Sequence, residues 1–339
     1  ARLFPMCGLA HEIVVRRALE AAMRARPDGE TESHRERCLL AESAVTQIWR
    51  SLIDWPRTLG RSDVDLGVLR NARRLFARAW GSGRLERGQA LELADNLACV
   101  LFPGAERHPP DTVEALLSYL RGAETPGAAL VRAATGTQGA VRSPAMPTLL
   151  GRPSAAWFAG QMLSMPDFGA RPEVDGHPAE CGALSRLAHT EQERLWHEGP
   201  LAARLLAMQL QGSLTVATLR DADAGRAGDQ CRDPSAMAWH GETGWGAGVA
   251  ETARGPLACL LRVTQSETGA RRVGDIRLCA PSEWCLHPAG AMAGLLGGIT
   301  GESLELAAGL AVAAFDPCVE VFIDVRGCGR ETTQAGECS

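Results

Sequence analysis

The chain has 339 residues, of which 45% are hydrophobic and 22% charged, and a formal net charge of −5. That is enough apolar sequence for one large core or two smaller ones, and the mildly negative balance leaves no basic footprint for nucleic acid. All 35 basic residues are arginine, which excludes a P-loop, a Schiff-base lysine and a lysine general base.

Helical periodicity dominates in chain order. Residues 11–26 place Ile13, Val14, Ala18 and Leu19 on one face. CLLAESAVTQIWRSLIDWP repeats the pattern and is predicted to stop at Asp54-Trp55-Pro56, where proline ends a helix. Further helices are expected over 64–80, 84–102 and 111–122. The stretch 123–155 is rich in Gly, Ala, Thr and Pro and reads as an irregular surface excursion. LSRLAHTEQERLWHEGPLAARLLAMQLQG returns to helix, with a break at Gly199-Pro200. From 236 a Gly-rich turn region precedes a strand in GPLACLLRVTQ, and Gly274 to Leu278 is placed to pair with it. Helix resumes near 302–315. VEVFIDV then alternates with a period of two, which predicts a strand. The expected fold class is mainly α with a few short β-strands, as a single domain over 1–339. No apolar run reaches the roughly 18–20 residues that span a bilayer, and no signal-peptide pattern is visible. The expectation is a cytoplasmic protein with no membrane partner.

The cysteines number eleven, are scattered, and include no C-x-x-C. A disulfide framework or a structural zinc site does not fit that pattern. Most are read as small buried hydrophobes; context has to select any functional ones.

Four short blocks have chemical content. Cys7 stands at a helix N-terminus, whose free N–H groups favour a thiolate, and His11 follows one turn later. Glu251 and Arg254 flank a turn in ETARGPLACLL, where a buried guanidinium needs either Glu251 or a bound anion. In CAPSEWCLHPAG, Ser282 follows Pro281 at a turn that can aim its hydroxyl into a pocket, with Cys279 and Cys285 on either side. Asp316-Pro317-Cys318 marks the junction between an apolar helix and the following segment. GWGAG (244–248) is Gly-rich but lacks the G-x-G-x-x-G spacing of a dinucleotide site.

Taken in order, R-x-x-x-x-C-x-x-x-H near the start, A-R-G-x-L, P-S-x-W and D-P-C resemble the large subunit of [NiFe] hydrogenases, and ECGALSRLA (180–188) is similar to that family's G-P-L-A-R segment. The departures carry as much information. The family's two C-x-x-C pairs supply four thiolates to a nickel–iron centre; here Phe4 and Val321 stand where the partners of Cys7 and Cys318 would be, and Asp324 replaces the histidine of the C-terminal motif. By position Cys7 matches the bridging thiolate of the first pair and Cys318 the nickel-only thiolate of the second. Two thiolates make a poor cage for nickel. Arg254 and Ser282 match the positions that contact the cyanides on iron.

That combination resembles the HupK/HoxV family of hydrogenase accessory proteins. The resemblance implies a large-subunit-like helical fold and a non-catalytic scaffold that carries Fe(CN)2CO, without nickel, to an apo large subunit. Cys7 and Cys318 would hold the iron, His11 would steady the Cys7 side, and Arg254 and Ser282 would hold the cyanides, with Pro281, Glu251 and Asp316 in support. The implied partners are a small metallochaperone, an iron–sulfur maturation protein and the apo large subunit. Two alternatives stand beside it. One is a divergent catalytic large subunit that recruits Cys279, Cys285 or Cys328; the other is a metal-free paralogue that acts through protein contacts.

Overall fold

The computed structural model describes residues 7–61, 65–137, 146–221, 234–265, 267–300, 304–319 and 321–324. In chain order it contains α1 (Gly8–Ala22), α2 (Gly29–Trp49), a π-helical turn (Arg50–Asp54), α3 (Trp55–Thr58), α4 (Gly67–Ser82), α5 (Arg87–Leu101), α6 (Val113–Gly122), α7 (Pro126–Gly136), α8 (Ala155–Ser164), β1 (Glu173–Val174), β2 (His177–Pro178), α9 (His189–Trp196), α10 (Pro200–Arg220), α11 (Pro234–Met237), β3 (Ala238–His240), β4 (Trp245–Thr252), β5 (Gly255–Gln265), β6 (Arg271–Cys279), α12 (Pro281–Cys285), α13 (Ala291–Gly297) and α14 (Leu304–Phe315). The class is mainly α, as expected. Among the described residues, β3 to β6 form one antiparallel sheet in sequential order, and β1 pairs with β2.

The sheet acts as the floor on which α1 lies. Gly246 and Gly248 of β4 make this possible, because a Cβ at either would collide with the backbone of Ala18 or Val14 in α1. Close helix–strand approach is what glycine permits here. Arg17, 1% exposed, then bolts α1 in place: its guanidinium donates to Glu32 and Glu36 of α2 and to the Val249 carbonyl of β4. The middle and C-terminal half of α1 are therefore held from two sides. Trp284 similarly anchors α12, packing against Phe168 and Trp157 at ring-centroid distances of 5.8 and 6.5 Å.

The structure differs from the sequence reading at four places. The helix does not stop at Pro56 but continues to Thr58. The π-helical turn immediately before it moves the backbone bond of Trp55 to the Arg50 carbonyl, which loosens the ladder where proline has no N–H to offer. The irregular excursion expected over 123–155 contains α7. Thr125 caps it by accepting from Ala128 N, Pro126 sits in the first turn, and Leu130, Val131 and Ala134 are buried. The turn region expected before β5 is largely strand β4, its glycines serving helix contact rather than a turn. Finally, the strand expected in VEVFIDV is not found at its described residues: 319 and 321–324 have no strand pairing and Phe322 is 84% exposed. Alternation makes a strand only where a partner strand lies alongside. The rest of that segment, with Phe4 and Cys328, lies outside the described residues.

Candidate functional site

Four chain segments converge on one pocket. The start of α1 brings Cys7, and the segment after α14 brings Cys318. The two thiols are in hydrogen-bond contact although more than three hundred residues separate them. The β4–β5 hairpin brings Arg254. Its strands pair Thr252 with Gly255, so Ala253 and Arg254 form a two-residue tip, and Gly255 adopts φ 132° to close it. Thr252 Oγ1 braces the tip by accepting from Arg254 N and donating to the Gly255 carbonyl. The first turn of α12 brings Ser282.

The two sulfurs are not equivalent. Ser282 Oγ lies 2.7 Å from Cys318 Sγ and accepts from Cys318 N at 3.1 Å. When Cys318 is a thiolate, the Ser282 hydroxyl is the donor of the contact to its sulfur. The Cys7 thiol, Ser282 and the Arg254 charge bring the Cys318 thiol down to about 6, against the effect of burial. Cys7 moves the other way. Donation to the Cys318 sulfur, then burial, keeps its proton on. At neutral pH the pair is one thiolate and one thiol sharing a proton.

This reverses the expectation for Cys7. The free N–H groups of α1 are taken by a carboxylate from another helix: Leu9 N and Ala10 N donate to the two oxygens of Glu42, at 2.8 and 3.0 Å. Glu42 is buried, and burial pushes its carboxyl up to about 7 in spite of those bonds. His11 is also turned away from the sulfur. Its Nδ1 is 2.8 Å from the Cys7 carbonyl, to which it donates, and burial lowers its pKa in spite of that bond. It braces the backbone of Cys7.

Arg254 is buried and pairs with Asp316, not with Glu251. Its Nε donates to the Asp316 carbonyl at 2.9 Å, and the carboxylate lies within reach of both Nε and Nη2. Glu251 is bound instead to Arg186 at 2.7 Å, and Arg186 also donates to the carbonyls of Thr252 and Ala253. Glu251 thus holds the base of the hairpin through Arg186. Asp316 has φ 44°, a left-handed turn that takes the chain out of α14 into Pro317-Cys318. The end of α14 is fixed by Arg204, which lies 4.4 Å above the Phe315 ring and pairs with buried Glu180.

A second thiol pair meets α12 at its last residue, Cys285. Cys181 and Cys285 are in thiol–thiol contact, and the carbonyls of Arg254 and Pro281 each lie 3.5 Å from Cys181 Sγ, alternative acceptors for its one proton. That contact is the part Pro281 plays. Cys279 is fully buried, and burial raises its thiol. Neither Cys279 nor Cys285 joins Cys7 and Cys318.

Two charged residues of the pocket escaped the sequence reading. Glu42 shares the apolar face of α2 with Leu39 and Thr46, and a carboxylate on such a face was the available signal. Arg50 is 2% exposed and its guanidinium donates to Asp316 Oδ2; no motif marked it. A far larger cavity of 710 Å³ lies at the opposite end of α1, against Trp239 and His240, and has no thiol in its lining. Among the described residues, no three or more His, Cys, Asp or Glu are grouped to hold a metal ion, and no helix is long and apolar enough to cross a membrane.

No family model matches the chain. Over nearly its full length it is similar to three curated relatives. The hydrogenase expression/formation protein HupK of Rhizobium leguminosarum bv. viciae is 27% identical over 343 residues, 96% of this chain and 85% of the relative. HoxV of Cupriavidus necator, with the same description, is 28% identical over 342 residues, 95% and 85% of the two chains. HupK of Bradyrhizobium diazoefficiens is 29% identical over 339 residues, 97% and 86%. Among solved structures, an NAD+-reducing [NiFe]-hydrogenase in the H2-reduced state superposes with a TM-score of 0.54 at 15% identity, covering 94% of this chain and 85% of that one. The Ni-Fe-Se hydrogenase of Desulfovibrio vulgaris Hildenborough gives 0.52 at 13% identity, covering 93% and 86%. The fold is the hydrogenase large-subunit fold the sequence blocks implied, and the sequence likeness runs to HupK/HoxV-type proteins.

Proposed function

We propose that this chain is a hydrogenase maturation protein of HupK/HoxV type, and that its pocket carries the Fe(CN)2CO unit of the [NiFe] site as cargo before transfer to an apo large subunit. The observation that carries this reading is the contact between Cys7 and Cys318 within the field of Arg254. Two thiols are too few to enclose a bare ion, and no further metal-binding side chains are grouped among the described residues. They suit an iron that arrives with its own diatomic ligands and needs only two protein sulfurs.

Each residue then has a task. Cys318 meets the iron as a thiolate already formed. Cys7 gives up the shared proton as its sulfur binds. With two cyanides the loaded unit is anionic, and an anion taken out of water requires fixed donors. Arg254 and Ser282 border the sulfurs and are the donors available. Glu42 holds the N-terminal turn that sets the position of Cys7, and His11 braces its carbonyl. Two anchoring sulfurs instead of four leave the cargo releasable by ligand exchange. A small metallochaperone and an iron–sulfur maturation protein would supply it. Among the described residues no second thiol pair joins Cys7 and Cys318, and on this reading the protein serves a hydrogenase without acting as one.

Infrared spectroscopy tests this on protein produced together with its assembly partners. Carbon monoxide and cyanide stretches and stoichiometric iron are expected for the wild type. Both are expected to vanish in Cys7→Ala and in Cys318→Ala while the circular dichroism spectrum is unchanged. Full iron and unaltered bands in both variants would refute the assignment.

A further inference from the structure

Arg50 lies in LLAESAVTQIWRSLIDWP, outside the four short blocks that resemble the [NiFe] large subunit, and its guanidinium is buried beside the pocket. It opens the π-helical turn Arg50–Asp54. Such a turn re-aims side chains within a helix and is common at functional sites. What it delivers here is a cation to the far side of Asp316. Arg50 Nη2 donates to Asp316 Oδ2, while Arg254 Nη2 donates to Oδ1 at 3.3 Å and Arg254 Nε holds the carbonyl. One carboxylate therefore lies between two buried guanidiniums. Asp54, at the other end of the π-turn, senses both charges from a greater remove.

The arrangement has a consequence for the cargo. If Arg254 were the only cation, Asp316 would neutralise it and leave nothing for an anionic ligand. With Arg50 on the same carboxylate, the trio of Arg50, Arg254 and Asp316 carries one net positive charge, set against the Cys318 thiolate and, farther off, Asp54, and Arg254 is the member that interacts with the sulfurs. Arg50 also has an unpartnered Nε, and it borders a cavity of about 20 Å³ with Arg254, Asp316 and Cys181. That void is about the size of one water molecule.

We infer that Arg50 is a positioning residue for the iron cargo: through Asp316 it fixes the aim of Arg254, and it supplies the charge that Asp316 would otherwise cancel. The inference rests on the cargo reading above. It is tested by infrared spectroscopy and iron retention on the full chain made with its assembly partners, comparing wild type, Arg50→Met and Arg50→Lys. In Arg50→Met the cyanide bands are expected to shift and iron to be lost roughly tenfold faster during gel filtration, the scale set by one charge-assisted hydrogen bond. Arg50→Lys, which restores the charge without the fork, is expected to recover much of both. Should Arg50→Met fail to fold, Arg50→Gln keeps a donor for Asp316, drops the charge and decides by the same criteria. A folded neutral variant with unmoved cyanide bands and wild-type retention overturns the inference alone. A wild type without any such bands overturns the cargo reading and this inference with it.

Discussion

Two pairs of thiols meet the short helix α12, one through Ser282 in its first turn and the other through its last residue, Cys285. The outer pair, Cys7 and Cys318, is half-buried among Ser282, Arg254 and Glu42; the inner pair, Cys181 and Cys285, is buried against backbone carbonyls. In each pair the thiol that donates to its partner, Cys7 or Cys181, is raised; what sets the outer pair apart is that its other sulfur, Cys318, is brought down to about 6 with Ser282 and Arg254 beside it. The number of sulfurs is the same, so the surroundings decide. Donors aimed at a sulfur create a ligand; acceptors aimed at it keep the proton on and create a structural contact.

The largest expected contrast is in reactivity. In the native, cargo-free protein, iodoacetamide should modify Cys318 with a half-maximal rate near pH 6, while Cys181 and Cys285 stay unlabelled until unfolding. Peptide mapping by mass spectrometry reads both, and prompt labelling of the inner pair would erase the distinction between the two environments.

Next in size is the pH response of Glu42. Its folded value, about 7, lies above the ordinary 4.5, so the folded state binds this proton more tightly than the unfolded chain. The resulting stability is complete below about pH 4.5 and is lost as pH rises through about 7, a change of about 3 kcal/mol at most. Urea titrations from pH 4.5 to 8 should show this decline. The decline should flatten in Glu42→Gln, and an equal slope in both proteins would assign it elsewhere.

Ser282→Ala sharpens the contrast from the outer side. Removing a donor to a charged sulfur should raise the pH midpoint of Cys318 labelling by about one unit. An unmoved midpoint would leave the Cys7 thiol and Arg254 as sufficient cause. The smallest effect belongs to the inner pair. Cys285→Ala should cost about 1 kcal/mol in denaturant unfolding, as loss of a small buried group does, and leave iron retention intact.

Much of the fold was legible because helices declare themselves through a repeating apolar face, and α4, α5, α6, α9, α10 and α14 fall close to where that face predicts. What hid β4 and α7 was composition: glycines that admit α1 look like turn residues, and an Ala-Gly-Thr helix looks like a loop until its cap and buried face are seen together. The pocket was legible to the extent that its residues lie in short ordered blocks. Cys7, Arg254, Ser282, Asp316 and Cys318 meet in space. Glu42 and Arg50 could not be read, since single charges within α2 and its π-turn gain meaning only when the chain packs something charged against them. The role expected of Glu251 failed for the mirror reason: a nearer cation, Arg186, was not visible in one dimension.

The glycine floor beneath α1 has a mechanical outcome. With Gly246 and Gly248 letting the helix rest directly on β4, and Arg17 clamping it, the Cys7 side cannot yield without lifting a helix off the sheet. Cys318 lies in no helix or strand and follows the reversed turn at Asp316; side-chain bonds to Ser282, Arg50 and Arg254 hold this stretch, not a packed element of its own. The pocket is a vice with one jaw bolted to the frame, and anything it grips must leave by motion of the other. Backbone amides at 318 and 319 should accordingly exchange with deuterium well before those at 11–14, and equal protection on both sides would mean that the jaws open together.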